Sequence, residues 1–118
     1  MTHTVKATRE GLAGQGTSSG YRVESHVPFV ALPSHAALWA WVIVTNPLNG
    51  KSIKARVLDT GPFNLMDDAY VFGGDRPLAE RGISLSGKGT NGAGIDLSEN
   101  VWNALGMEDN TSVTWEFV

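Results

Sequence analysis

A chain of 118 residues has material for one ordinary domain and one core, and its 42% hydrophobic, 18% charged make-up is that of a folded protein. A net charge of −3 excludes a polyanion-binding protein of the nucleic-acid or anionic-membrane kind, and the absence of cysteine excludes disulfides and thiolate metal sites. Fourteen glycines and five prolines punctuate the chain into short segments, as in a barrel of short strands.

In chain order, Thr4 to Thr8 reads as a first strand, followed by a loop of small residues from Gly11 to Gly20. Leu38 to Thr45 is the strongest apolar run, aromatic and β-branched as a buried strand is. Its two tryptophans, Trp39 and Trp41, fall on one face, and core packing is the default expectation for them. Asn49-Gly50 gives a hairpin turn, and Lys51 to Leu58 returns with Ile53, Ala55 and Val57 on one face and Lys54 and Arg56 on the other. That strand delivers Asp59 at its end. From Thr60 to Gly94 the periodicity dissolves, which predicts a long functional loop. Asp96 to Leu105 then predicts a short helix stopped at Gly106, with Asp96 in a position to cap it. Ser112 to Val118 alternates Val113, Trp115 and Phe117 and predicts a closing strand. No run of about 18 apolar residues is present to span a membrane.

Four motifs occur in a fixed order: Val44-Thr-Asn-Pro-Leu-Asn-Gly-Lys-Ser52, Val57-Leu-Asp-Thr-Gly-Pro-Phe63, Gly94-Ile-Asp-Leu-Ser98 and Leu105-Gly106. This succession resembles the double-psi β-barrel of the rare lipoprotein A family, which cleaves peptidoglycan strands. It shares elements with bacterial expansins and with membrane-bound lytic transglycosylase A. The resemblance implies a mostly β fold: a six-stranded double-psi β-barrel over residues 1–118, with one short helix and an insertion loop at about 63–94.

It also implies Asp59 and Asp96 as catalytic carboxylates, with Asp96 the general acid, and a substrate groove formed by Thr17, Ser19, Tyr21, Gly61 and Pro62. Thr17-Ser-Ser-Gly20 stands for the family's T-A-S-G. Tyr21 stands where that family has a glutamate and Phe29 where it has a histidine. The implied partner is a polysaccharide, peptidoglycan before others, and the implied place is the cell wall or periplasm if a leader has been removed, or else a phage-encoded protein. No cofactor, metal or nucleic acid is expected, and a monomer is.

The chemistry fits a carboxylate pair. Hydrolases of glycosidic bonds use two carboxyl groups, whereas a lytic transglycosylase manages with one acid/base because the sugar's 6-hydroxyl attacks. The first alternative is an expansin-like module that binds the glycan without cleaving it. A third reading takes Val57-Leu-Asp-Thr-Gly61 as the signature of a retroviral-type aspartic protease. His26 and His35 have no identifiable partner, Asp67-Asp68 reads as solvated loop charge, and Gly73-Gly74 and Gly87-Lys-Gly89 lack a phosphate-loop frame.

Overall fold

The computed structural model describes residues 2–10, 20 and 27–118. Six strands close into a barrel: β1 (His3–Glu10), β2 (Phe29–Leu32), β3 (Trp41–Thr45), β4 (Ser52–Thr60), β5 (Ile95–Ser98) and β6 (Ser112–Phe117). Around the barrel the order is β1-β5-β2-β4-β3-β6. Among the described residues β3 and β4 alone form a hairpin, across a turn in which Gly50 takes φ 75°, a conformation glycine adopts without steric cost. The β1–β5 and β2–β4 pairs are parallel, and a parallel pair needs a crossover connection rather than a turn. Two such interlocked crossovers make the double-psi barrel that the motif order implied.

Alternation builds the core. Val5 and Ala7 of β1, Val42 and Val44 of β3, Ala55 and Val57 of β4, and Val113 and Trp115 of β6 all point inward and are buried. Each fully buried valine contributes on the order of 1.5–3 kcal/mol of transfer free energy.

Two strands differ from the sequence expectation. Phe29–Leu32 is buried at every position, so it shows no alternation to read. Ile95–Ser98, expected as the start of a helix, is β5, and helix α2 runs only over Glu99–Ala104. Its cap is Ser98, whose Oγ accepts from Val101 N (3.4 Å) and Phe29 N (3.0 Å). Asp96 is therefore not a helix cap.

The 63–94 segment is not structureless either. It holds a short helix α1 (Asp68–Val71) and a 3-10 turn over Leu78–Arg81. Tyr70 of α1 is fully buried; its hydroxyl donates to Gly94 O (2.9 Å) and accepts from Trp115 Nε1 (2.8 Å). Gly94 itself is hemmed in, since a Cβ there would meet Pro77 Cγ at 2.8 Å and Tyr70 Oη at 3.0 Å. Asp67, expected to be solvated, is 3% exposed and accepts from Leu78 N (2.8 Å). Burial pushes its carboxyl above the usual range. The insertion is a packed part of the barrel end. No helix among the described residues is long and apolar enough to cross a membrane.

Candidate functional site

Asp96 sits at the second position of β5, between Ile95 and Leu97, which face the core. Strand alternation sends its side chain outward. In register, Asp96 lies beside Thr8 of β1 on one side and Ala31 of β2 on the other. The Thr8 hydroxyl donates a hydrogen bond to Asp96 Oδ1.

Asp59 reaches the same surface by a slip in register. Along β4, Arg56 pairs with Phe29 and Val57 with Val30, but Ala31 then pairs with Asp59, so Leu58 is skipped. Strict alternation from the core residue Val57 would turn Asp59 inward; the irregularity re-aims it to the outer face. Asp59 and Asp96 thus flank one alanine, about 10 Å apart at their backbones by two strand spacings. The Asp59 side chain also takes Thr60 N (2.9 Å).

Burial pushes the Asp96 carboxyl up to about 6; the Asp59 charge adds to this, and the Thr8 hydrogen bond opposes it. Desolvation and like-charge proximity both favour its protonated form.

The loop after β4 passes over this pair. A Cβ on Gly61 would stand in ordinary contact with Asp96 Oδ2 at 4.0 Å, so it is the backbone, at φ 123°, that favours glycine there. Pro62 and Phe63 continue the wall of a groove of about 640 Å³, whose other wall includes Arg9, Trp102 and Glu108, with Asp96 and Thr8 also lining it. Phe63 is 41% exposed and holds φ 67°, an unfavourable conformation for a bulky side chain. Trp102 is nearly buried, and the Arg9 guanidinium lies 5.6 Å from its ring. The arrangement offers hydroxyl-binding carboxylates beside a ring available for stacking on a sugar.

Of the residues expected from the sequence, Asp96 and Pro62 line the groove, and Asp59 and Gly61 lie beside Asp96. Thr17, Ser19, Tyr21 and His26 lie outside the described residues. Phe29, at the place of the family's histidine, is fully buried against Leu58 and does not line the groove. His35 is exposed on a 3-10 turn. Thr8, Arg9 and Trp102 carry no sequence signal of their own, whereas Phe63 closes the Asp-Thr-Gly-Pro-Phe motif. Only the pairing of β1 with β5 brings Thr8 to Asp96.

Trp39 and Trp41 are not core residues. They are 49% and 44% exposed, on the outer side of the β3–β4 pair. Trp39 precedes the strand and has φ 74°.

The family model of a domain of unknown function, DUF8814, matches residues 1–77. No curated protein matches the chain. Among solved structures, the chain is similar to an aspartate-to-asparagine mutant of the Clavibacter michiganensis expansin in complex with cellohexaose. That match has a TM-score of 0.60 and 18% identity, over 100% of this chain and 50% of that one. The apo Clavibacter michiganensis expansin matches with a TM-score of 0.59 and 21% identity over the same shares. A Streptomyces papain inhibitor matches with a TM-score of 0.59 and 19% identity, over 100% of this chain and 94% of that one. The chain thus spans half the length of the expansin, and at these identities the likeness is one of fold.

Proposed function

The chain belongs to the DUF8814 family, and from that premise we propose that it is a polysaccharide-binding, cell-wall-acting module that holds a glycan strand in the Asp96 groove without cleaving it. The observation that carries this reading is the placement of both carboxylates on one outer face of the sheet, with only Ala31 between them. Two-carboxylate hydrolysis needs groups on opposite sides of the scissile bond, one for the leaving oxygen and one for the anomeric carbon or its water. Carboxylates side by side address the same edge of a bound chain, which suits paired hydrogen bonds to sugar hydroxyls. Phe63 supplies the stacking surface, and its strained backbone at an exposed position is the kind of outlier that accompanies binding sites. The cellohexaose bound by the expansin of the same fold supports a glycan as the ligand class.

A second reading is favoured by one observation. Asp96, held near 6, is poised as a single general acid/base, which is all that lytic transglycosylation asks of the protein. That chemistry, and the finer likeness to rare lipoprotein A and lytic transglycosylase A, would make peptidoglycan the ligand. The aspartic protease gains no support: Asp59 acts on Asp96 of its own chain, at the end of a strand in a closed barrel. We place the module in the wall or periplasm, acting as a monomer built of one barrel over residues 1–118.

Incubation with peptidoglycan sacculi and with cellohexaose, followed by mass analysis and a pull-down, separates the readings. Retention on a glycan with no new products is the expected result. Anhydro-muropeptides would replace it with the transglycosylase, and new reducing ends with a hydrolase. No retention on either glycan would overturn the module.

A further inference from the structure

A second surface carries a different chemistry. On the outer side of β3 and β4, Arg56 lies opposite Trp41, and Lys54 lies opposite Ile43. The Arg56 guanidinium is 5.2 Å from the Trp39 ring and 5.3 Å from the Trp41 ring, and Lys54 Nζ is 5.0 Å from the Trp41 ring. Arg56 Nε donates to the Trp39 carbonyl (2.9 Å), the hydrogen bond its guanidinium makes among the described residues. Neither Lys54 nor Arg56 has a carboxylate partner among the described residues. Glu116 of β6 stands beyond Ile43 and takes the Thr2 hydroxyl (3.2 Å).

We propose that this Trp39–Arg56–Trp41 face, with Lys54, is a second glycan site that takes a carboxylate-bearing polysaccharide. Three features converge on that ligand. Two cations two residues apart on one strand face, about 7 Å along it, present a row of positive charge on a protein whose net charge is −3. The edge of a guanidinium matches the two oxygens of a carboxylate. The rings beside it are about half exposed, and Trp39 is held there by an unfavourable φ of 74°, a cost that core packing does not explain.

Position adds a fourth argument. In the closed order β1-β5-β2-β4-β3-β6, strand β3 stands three places from β5, and on β4 Lys54 and Arg56 lie nearer the β3 hairpin than Asp59 does, so this face is separate from the groove. The groove has Asp96, Glu108 and Asp109 against the single cation Arg9 among its lining residues, a balance that disfavours an anionic chain. An acidic glycan is therefore disfavoured in the groove and favoured at the β3–β4 face. Choosing a glycan over other polyanions rests on the glycan-binding reading above; the charge and the rings do not.

The full chain titrated with polygalacturonate by calorimetry at low salt is expected to bind, with affinity falling as sodium chloride is added. The Lys54→Gln/Arg56→Gln double variant should bind about tenfold or more weakly, and Trp41→Leu, which keeps an apolar residue on the strand, should also weaken it. Absence of binding by the wild type, or a folded double variant that binds as tightly as the wild type, overturns the proposal. So does equal affinity for polyglutamate, because charge alone would then suffice. Loss of cellohexaose binding with polygalacturonate retained would defeat the groove reading alone; the converse would defeat this one alone.

Discussion

The groove and the Trp39–Arg56–Trp41 face are built from the same material, charge beside aromatic rings, by opposite means. In the groove a carboxylate is pulled into the protein, so burial and a like charge raise its pKa. On the β3–β4 face the exposed Lys54 and half-buried Arg56 lay their stems and charges over exposed rings. The first arrangement is destabilising for the fold and is tolerated where a ligand can repay it. The second is close to neutral for the fold. Of these two surfaces, the groove is therefore the one where removing a charge should change stability.

The largest effect is expected at Asp96. Its folded pKa, about 6, stands above the ordinary value of 3.8, so the folded state holds the proton more tightly than the unfolded chain. Stability from this group is present below about pH 4 and is lost as pH rises through 6. The Asp96→Asn variant should be more stable than wild type at pH 7.5, by up to about 3 kcal/mol from the two-unit shift. Denaturant melts at pH 4 and pH 7.5 check it: the gain should vanish at the lower pH. A variant less stable than wild type at both would mean that the Asp96 charge is compensated.

Ala31→Leu should come next, at about 1–3 kcal/mol of destabilisation, because a fully buried alanine between two carboxylates has no room for four carbons. It should also abolish glycan retention by prising Asp59 and Asp96 apart. Retained binding would show that the two need not act together. Thr8→Val removes the one hydroxyl bonded to Asp96 and should cost about 1 kcal/mol. It should also raise the Asp96 titration midpoint further, read by carboxyl carbon NMR. In the same measurement Asp59→Asn should move the midpoint down, since the Asp59 charge raises it.

The smallest effect belongs to the β3–β4 face. Arg56→Gln gives up exposed cation–π contacts and should change stability by less than about 1 kcal/mol. A thermal melt that drops well beyond this would show that Arg56 holds Trp39 in place for the sake of the fold.

Much of the framework was legible because alternation and turn chemistry are local. Lys51 to Leu58 reads as a strand from Ile53, Ala55 and Val57 alone, and Asn49-Gly50 forecasts the hairpin that β3 and β4 form. Segments buried on both sides were not legible in that way: Phe29–Leu32 shows no period, and Asp-Leu-Ser-Glu looks like a helix cap until Ser98 is seen to hold it. Trp39 and Trp41 misled for a related reason. Hydrophobicity reports what burial would gain, and not whether a neighbour on the next strand is a cation that covers the ring from water's side.

What the sequence determined by itself, through the order of its motifs and the alternation of its strands, was a double-psi barrel bearing Asp59 and Asp96. That those two carboxylates share one outer face of the sheet was decided only in the tertiary structure. It depends on a one-residue slip against β2, which turns Asp59 outward, and on β5 pairing beside Ala31. Register is a property of two strands at once, set by packing between segments far apart in the chain, and no single segment records it.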